Sequence, residues 1–278
     1  MTITEALRDA ALRIERRDAE VLLGKLLQCN RAFLIAHGQD ELDTVIGMRF
    51  ESWVTRREQG EPVAYITGTR EFYGREFCVS PAVLIPRPET EHLIEQALAR
   101  LSSPYPSELR TSARILDMGT GSGAIAVTLA LERPQCVVTA CDVSTASLTM
   151  AAENAVRLGA HVEFIQSDWY AALTGRTFDL IVSNPPYVAA HDAHLSQGDL
   201  RFEPTRALTD ESVDGLASIR HIVEGAHAHL APGGWLLFEH GYDQAGAARD
   251  LLLIAGFEDL ICEKDLAGIP RVSGGRLG

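Results

Sequence analysis

The sequence predicts an α/β fold in which a doubly wound, mostly parallel sheet follows a smaller region built only of helices. Strand and helix patterns alternate between residues 114 and 263, which is typical of parallel strands joined by crossover helices. The apolar run at residues 178–183 has the pattern of a strand buried on both faces. Because such sheets bind ligands at the carboxyl ends of their strands, we expect the functional residues there.

The composition restricts the classes of protein to which the chain can belong. With 278 residues, 46% of them hydrophobic and 23% charged, it suits one large or two unequal globular domains. The net charge of −13 argues against stable nucleic-acid binding, which needs clustered Lys and Arg. The five cysteines are scattered, and charges interrupt the apolar positions near the N-terminus. We therefore predict reduced thiols, a cytoplasmic location and neither a signal peptide nor a membrane span.

Residues 1–61 are predicted to form a helical bundle, because three apolar stripes with helical spacing follow one another there. The last stripe ends at Gly60, which is a typical helix end. Residues 62–87 have extended patterns, beginning with 63–67, that are separated by glycines, so we predict a β-hairpin linker. The bundle can dock a partner or simply stabilise the protein, and both roles stay open at this point.

Residues 88–278 are predicted to form the sheet domain. The predicted strands are 114–118, 136–141, 162–166, 178–183, 235–239 and 257–263. The predicted helices are 88–101, 123–133, 144–158, 213–230 and 242–255, with a polar loop at 102–112. The tail at 271–277 can add a last edge strand, although Gly274 and Gly275 weaken that prediction.

A glycine-rich stretch, Asp117-Met118-Gly119-Thr120-Gly121-Ser122-Gly123, joins the first of these strands to its helix. Its glycines permit a tight turn and let backbone N–H groups approach a bound ligand. Asp142 ends the second strand about twenty residues further on, where a carboxylate can bind both hydroxyls of a ribose. Asp168 and Trp169 follow the third strand and offer a carboxylate for an exocyclic amine and an indole for the face of a base.

Two cofactors compete for this stretch. The pattern Gly119-x-Gly121-x-x-Ala124 satisfies the dinucleotide fingerprint, so a nicotinamide cofactor is one candidate. An acidic residue before the first glycine and the motif that ends the fourth strand both count against hydride transfer. S-adenosylmethionine, with S-adenosylhomocysteine as its product, fits all the strand ends together, and we predict it. Its methionine portion would lie near Asp117, its ribose at Asp142, its adenine at Asp168 and Trp169, and residues 119–123 along its path.

The fourth strand ends in a corner formed by Asn184-Pro185-Pro186-Tyr187. Neither proline can donate to a sheet ladder, and the first restricts Asn184 to extended backbone. The Asn184 side-chain oxygen and the Pro185 carbonyl are then free to accept the two hydrogens of a planar –NH2 group, against which Tyr187 can pack. Two acceptors placed for a tetrahedral nitrogen favour the transition state over the planar ground state. The alternative is that the motif is an ordinary turn.

Taken together, residues 117–123, Asp142 and the corner resemble a class I S-adenosylmethionine-dependent amino-methyltransferase. Further stretches are similar to the bacterial HemK/PrmC family: Leu84-Ile85-Pro86-Arg87-Pro88-Glu89-Thr90-Glu91, Phe202-Glu203-Pro204 with Ala207-Leu208, Phe238-Glu239-His240-Gly241, and Asp265-Leu266-Ala267-Gly268. The resemblance spans nearly the whole chain. The chain differs from the family pattern at two places. Thr209-Asp210-Glu211-Ser212 stands where the family has a glycine-rich stretch, and Gly274-Gly275 is unusual for the family.

This resemblance implies a Rossmann-like, mostly parallel, seven-stranded methyltransferase sheet. It implies methyl transfer to the side-chain amide nitrogen, N5, of the glutamine in the Gly-Gly-Gln motif of peptide chain release factors. The cofactor site would include 119–123, Asp142, Trp169 and Asn184, and the corner would hold the glutamine amide. Residues 1–61 would dock the release factor, and we expect a monomer that modulates translation termination.

Other functions compete with this one. The corner can equally present adenine in DNA or guanine in ribosomal RNA, but the acidic charge and the lack of an obvious target-recognition domain count against both. A non-catalytic binding protein is disfavoured by the intact corner. His191 and His194 have no third ligand beside them, so we predict no metal site. Glu239 and His240 resemble an acid–base pair, which we interpret instead as part of the wall around the cofactor.

Overall fold

The computed structural model describes residues 1–101 and 112–278. These residues divide into two compact units, one of residues 1–69 with 196–202 and one of residues 70–195 with 203–278. The predicted loop at 102–112 lies outside the described residues except for Ser112.

Helices described in the first unit are α1 (Ile3–Ala10), α2 (Arg16–Leu27), α3 (Arg31–Ala36), α4 (Thr44–Glu58) and α5 (Val63–Thr67). Their starts follow the local sequence: Thr2 caps α1 in a capping box with Glu5, and the Asp43 carboxylate accepts hydrogen bonds from the first turn of α4. The apolar stripes meet in a core that includes Leu22 and Phe50. This confirms the helical region predicted here.

Helix α5 corrects the extended segment that we predicted for residues 63–67. Pro62 stands immediately before the helix, and Gly68 ends it with a φ of +75°. Proline before the first turn and glycine after the last are helix-terminating signals, here separated by only five residues. Ile66 is buried in the core of the first unit, and this packing outweighs the β-propensity of the segment.

The segment 196–202 belongs to the first unit through polar contacts. Arg57 Nη1 lies 2.8 Å from Asp199 Oδ1, and Arg201 Nη2 donates to the Gln59 carbonyl at 2.8 Å. Each contact joins residues that are 142 positions apart, so no local pattern could have indicated it.

The second unit begins within a hairpin of β1 (Thr69–Phe72) and β2 (Arg75–Cys78). Tyr73 and Gly74 connect these strands with φ values of +50° and +72°. Two successive residues with positive φ are typical of the primed turns that match strand twist. The predicted hairpin is therefore present, but its first strand begins at Thr69.

After the hairpin, helices and strands alternate as predicted. They are α6 (Glu91–Leu101), β3 (Arg114–Met118), α7 (Ala124–Glu132), β4 (Val137–Asp142), α8 (Thr145–Leu158), β5 (Val162–Gln166), β6 (Phe178–Ser183), α9 (Thr205–Leu208), α10 (Ala217–His229), β7 (Leu230–Glu239), α11 (Ala245–Ile254), β8 (Phe257–Lys264) and β9 (Pro270–Leu277). Within the described residues, seven strands form one main sheet in the order β5-β4-β3-β6-β7-β9-β8. Strands β3 to β7 pair in parallel, and β9 is antiparallel to both of its neighbours. This confirms the predicted class of fold.

Helices cover both faces of the main sheet. On β6, Leu180 and Val182 belong to a core shared with α6, α7 and α8, whereas Ile181 belongs to a core shared with α10 and α11. Successive side chains of a strand point to opposite faces, so both sets are buried. This explains the continuous apolar run that the sequence shows before the corner.

Strand β9 corrects the prediction for the tail, because it lies between β7 and β8 and not at an edge. A Cβ on Gly274 would lie 2.4 Å from the Leu236 carbonyl oxygen, and one on Gly275 would lie 2.7 Å from Leu260 Cδ2. The two glycines therefore allow close packing inside the sheet. The expectation that they weaken the strand is therefore wrong.

Candidate active site

A cavity opens at the carboxyl ends of β3, β4 and β6. Most of the predicted site residues line it: Gly119, Thr120, Gly121, Ser122, Asp142, Asp168, Trp169, Asn184 and Pro186. Other predicted residues, namely Asp117, Gly123, Pro185 and Tyr187, do not line the described cavity. The lining also includes Pro86, Thr90 and Pro204, which belong to the motifs that carry the family resemblance, and Val83 and Arg206, which lie outside those motifs.

The glycine loop, residues 119–123, is held by β4. The backbone N–H groups of Gly119 and Thr120 donate to the Cys141 carbonyl at 2.9 and 3.0 Å. Gly119 and Gly121 have φ values of +71° and +56°, and no described atom lies within 4 Å of a Cβ built on either. Their backbone therefore faces open space at the cavity, where a ligand can approach it closely.

Two buried residues fix the far end of this loop. Gly123 has a φ of +82°, and a Cβ there would lie 3.0 Å from the Cβ of Ala151 in α8. Asn154, also in α8, donates through Nδ2 to the Ser122 carbonyl at 2.9 Å and accepts through Oδ1 from the Cys78 N–H at 2.7 Å. Sequence reasoning missed Asn154, because its partners lie 32 and 76 positions away.

Asp117 is fully buried next to the glycine loop. Its Oδ2 accepts hydrogen bonds from Thr120 Oγ1 at 2.6 Å and from the Ala126 N–H at 3.1 Å. Among the described residues, Asp117 Oδ1 is buried without a hydrogen-bond partner. Burial raises the pKa of Asp117 to about 7, although both hydrogen bonds oppose this shift. The carboxyl group thus supports the loop and keeps one oxygen that a polar ligand group can satisfy.

Asp142, at the end of β4, is oriented by two backbone groups. Its Oδ2 accepts from the Gly121 N–H at 3.0 Å and its Oδ1 from the Ser144 N–H at 2.8 Å. Burial raises the pKa of Asp142, and these N–H groups and the charge of Arg206 oppose the shift. Because a carboxylate has about four lone-pair positions, acceptor capacity remains for ligand hydroxyls.

Asp168 and Trp169 line the cavity after β5. Trp169 has a φ of +46°, and its carbonyl accepts a hydrogen bond from Ser167 Oγ at 2.7 Å. The left-handed conformation is uncommon for such a bulky residue, and this contact helps to hold it. The indole is partly buried against the core shared with α10 and α11, so the cavity has a carboxylate and an aromatic side chain at this strand end.

The corner after β6 is clamped through its backbone. The Tyr187 carbonyl accepts from Gln244 Nε2 at 3.0 Å, and Gly215 approaches it so closely that a Cβ would lie 2.1 Å away. No described residue donates a hydrogen bond to Asn184 Oδ1 or to the carbonyl of the buried Pro185. Two acceptors of the corner are therefore uncommitted.

A chain of hydrogen bonds joins the corner to β7. Asn184 Nδ2 donates to Thr90 Oγ1 at 3.0 Å, and Thr90 Oγ1 donates to Glu239 Oε2 at 2.6 Å. The Tyr187 hydroxyl donates to Glu239 Oε1 at 3.0 Å. Burial raises the pKa of Glu239, and the two hydroxyls and the charge of Arg271 oppose the shift. Burial and the nearby carboxylate together raise the pKa of Tyr187.

Neither Glu239 nor His240 lines the described cavity, so our interpretation of them as wall residues was wrong. His240 Nε2 lies 2.9 Å from Ser273 Oγ, and its backbone N–H donates to the Arg271 carbonyl at 2.9 Å. Burial lowers the pKa of His240. This histidine joins β7 to β9, whereas Glu239 supports the corner.

One wall of the cavity depends on Glu203, which is almost fully buried. Its Oε2 accepts from the Ile85 N–H at 3.0 Å, and its Oε1 accepts from Arg87 Nη2 at 2.5 Å. The carboxylate thereby ties together two stretches that supply lining residues, 82–86 and 204–207. Both stretches overlap the motifs that carry the family resemblance.

These residues fit S-adenosylmethionine. Asp117 lies beside the cavity without lining it, and its Oδ1, which has no partner among the described residues, suits a cationic amino group. The Asp142 carboxylate, which lines the cavity, suits a diol. Open space over Gly119 and Gly121 accommodates an elongated ligand beside the backbone, and Trp169 suits the face of a base. None of these observations indicates a binding site for the second ribose or the phosphates of a dinucleotide.

In the described part of the chain, no group of three or more His, Cys, Asp or Glu side chains could hold a metal ion. His191, one of the two histidines considered as ligands, is exposed.

None of the helices in the described ranges has both the length and the apolar character needed to cross a membrane.

Two family models match the chain, the PrmC N-terminal domain over residues 2–68 and the methyltransferase small domain over residues 94–203. A release factor glutamine methyltransferase of Burkholderia pseudomallei is 51% identical over 283 residues, covering 99% of this chain and 96% of that protein. The release factor glutamine methyltransferase of Escherichia coli is 45% identical over 262 residues, covering 94% of this chain and 92% of that protein.

A solved structure supports the fold. A methyltransferase from Pyrococcus furiosus matches with a TM-score of 0.55 at 20% identity, covering 81% of this chain and 97% of that chain. The curated relatives match almost the whole chain at about half identity, and their similarity confirms the resemblance drawn from the motifs. The chain therefore belongs to the HemK/PrmC family of release factor glutamine methyltransferases.

Proposed function

We propose that the protein methylates the side-chain amide nitrogen, N5, of the glutamine in the Gly-Gly-Gln motif of peptide chain release factors, with S-adenosylmethionine as donor. The observation that carries the proposal is the corner beside the cavity, which Asn184 lines and where Asn184 Oδ1 and the Pro185 carbonyl accept no hydrogen bond from any described residue. Family membership supports the substrate class, and the corner supports the chemistry.

The cofactor residues would each act on a different part of the donor. Asp142 would accept hydrogen bonds from the ribose hydroxyls, and Asp168 and Trp169 would bind the adenine. Asp117 would face the amino group, and the glycine loop would lie along the ligand. When bound, S-adenosylmethionine supplies an electrophilic methyl group on a sulfonium, so the protein needs only to position the substrate and exclude water.

The corner would favour the transition state over the ground state. An amide nitrogen is a poor nucleophile, because its lone pair is delocalised into the carbonyl. Asn184 Oδ1 and the Pro185 carbonyl would each accept one N–H, and both bonds improve as the nitrogen becomes tetrahedral. The methylated nitrogen is cationic and strongly acidic, so it can lose its proton to water without a dedicated base.

Residues 1–61 are proposed to dock the release factor, with the protein acting as a cytoplasmic monomer that modulates translation termination. In support, residues 2–68 match the PrmC N-terminal domain, and the relatives that share the whole chain are named as release factor glutamine methyltransferases. The first unit also exposes large apolar side chains, including Ile35, Val45 and Met48, which a protein partner could cover.

Transfer of labelled methyl groups to a purified release factor tests the proposal. We expect label on the Gly-Gly-Gln glutamine, located by mass spectrometry of the peptide. Asn184→Ala should lower the rate roughly 10²- to 10³-fold, as the loss of one transition-state hydrogen bond does elsewhere. Glu224→Ala, on an exposed position of α10, is the matched control. Label on duplex DNA or ribosomal RNA instead, or a fully active Asn184→Ala, would contradict the proposal.

A further inference from the structure

The direction of the hydrogen bonds around Thr90 follows from their chemistry. In its ionised form Glu239 only accepts, so Thr90 gives its single hydroxyl hydrogen to Glu239 Oε2, which is 2.6 Å away. Thr90 Oγ1 can then only accept from Asn184. The Asn184 atom at 3.0 Å must therefore be Nδ2, and Oδ1 is turned away from Thr90.

The far end of this chain is fixed as well. The Tyr187 hydroxyl donates to Glu239 Oε1 at 3.0 Å, so each carboxylate oxygen has its own hydroxyl donor. Thr90 is 4% exposed and Glu239 is 1% exposed, which leaves water little access to replace either partner. Hydrogen bonds to a buried carboxylate are strong, and leaving one unmade is costly.

We propose that Thr90 and Glu239 are positioning residues that orient the Asn184 amide with its oxygen toward the substrate nitrogen. This inference rests on the proposed function for the identity of the substrate, whereas the orientation of the amide stands independently of it. With the amide reversed, Asn184 would present its own N–H groups to an –NH2 substrate. Donor would then face donor, and the corner would lose one of its two acceptors.

Two substitutions at Thr90 separate its hydroxyl from its shape. Thr90→Val keeps the shape without the hydroxyl, and Thr90→Ser keeps the hydroxyl. We expect kcat to fall roughly 10- to 100-fold in Thr90→Val and to change no more than about threefold in Thr90→Ser. The Kd for S-adenosylhomocysteine should stay close to the wild-type value in both. A wild-type kcat in Thr90→Val, or an equal loss in Thr90→Ser, would overturn the inference.

Glu239→Gln tests the carboxylate with almost no change of shape. The Tyr187 hydroxyl has no other acceptor among the described residues, so the glutamine oxygen would stay with Tyr187 and its –NH2 group would donate to Thr90. The Thr90 hydrogen would then turn to Asn184 and draw the Asn184 oxygen toward it. We expect a loss of kcat similar to that of Thr90→Val. An unchanged kcat in Glu239→Gln would contradict the proposed direction of the chain. If Thr90→Val proves unfolded by circular dichroism, Thr90→Ser and Glu239→Gln still decide the matter.

A readout that needs no substrate separates this inference from the proposed function. The side-chain amide resonances of Asn184, identified by their loss in Asn184→Asp, should include a proton protected from exchange in the wild type and in Thr90→Ser. That protection should be lost in Thr90→Val. If the resonances behave so but no release factor is methylated, the proposed function fails and the orientation stands. Unchanged protection in Thr90→Val would refute the orientation whatever is methylated.

Discussion

Asp117 combines a supporting role with an electrostatic cost. Its Oδ2 holds the glycine loop, while Oδ1 is buried without a partner among the described residues. The ionised form is disfavoured in such surroundings, which places the pKa of Asp117 at about 7 in the folded protein. Between the ordinary aspartate pKa and 7, the folded state therefore binds more protons than the unfolded state. Stability must then fall as the pH rises through this range.

We expect the free energy of unfolding of the ligand-free protein to decrease by up to about 4 kcal/mol between pH 4 and pH 7 because of this group. Asp117→Asn cannot ionise but keeps an oxygen for Thr120, so it should lack this component. Denaturant titrations of both proteins at several pH values measure the difference. Parallel pH profiles for the two proteins would exclude Asp117 as the source.

At the level of single residues, the site was predictable where the local sequence restricts the backbone. The glycine loop and the corner depend on Gly and Pro, whose effects are local, and most of their residues line the cavity. Thr90 and Asn154 depend on partners 94 and 76 positions away, which no local pattern encodes. Their roles became visible only once the fold had brought these side chains together.

Among the elements, α7 and α8 meet at a position that only glycine suits. Gly123 has a φ of +82°, and a Cβ there would contact Ala151 at 3.0 Å. Gly159, after α8, has a similar φ of +75°, but no described atom lies within 4 Å of its Cβ position. The two glycines thus separate the cost of a left-handed backbone from the cost of crowding.

Gly123→Ala should lower the free energy of unfolding more than Gly159→Ala does. In both variants the left-handed conformation of the new alanine lowers the free energy of unfolding by about 1 to 2 kcal/mol. At position 123, crowding against α8 lowers it by about 1 to 3 kcal/mol more. Denaturant unfolding of the two variants, followed by circular dichroism, measures the gap. Equal losses of stability in the two variants would show that α8 moves to accommodate the added methyl group without lowering the free energy of unfolding.

The order of the elements was more predictable than their exact nature. Alternating patterns predicted the parallel strands well, because burial on both faces leaves a clear apolar run. Helix α5 was mistaken for extended chain, since five residues are too few for a periodicity to be recognised. Strand β9 was predicted at an edge, because glycines usually weaken a strand. Their role in close packing against β7 and β8 cannot be read from the sequence alone.

For the molecule as a whole, each unit has its own apolar core. The core of the first unit consists of residues between Ile3 and Ile66, whereas the cores on the two faces of the main sheet begin at Phe72 and at Leu116. The residues that line the cavity all belong to the second unit. Ligand binding therefore adds stability directly to the second unit.

Differential scanning calorimetry should resolve two unfolding transitions, of which only one responds to S-adenosylhomocysteine. At a hundredfold excess over Kd the ligand contributes about 2.7 kcal/mol. For a unit of this size that corresponds to a rise in Tm of roughly 5 to 10 °C. A single transition that shifts as a whole would show that the two units unfold together.

The position of β9 also has a consequence for the order in which the sheet can be completed. Both of its neighbours, β7 and β8, precede it in the chain. Each of them forms hydrogen bonds with β9 along the edge that faces it, and β7 and β8 do not pair with each other. Until β9 has been synthesised, each neighbour presents an unpaired row of N–H and C=O groups, the kind of surface on which chains aggregate. Its glycines confer little strand propensity of their own. The main sheet is therefore completed only when β9, the last of its strands to be synthesised, inserts between β7 and β8.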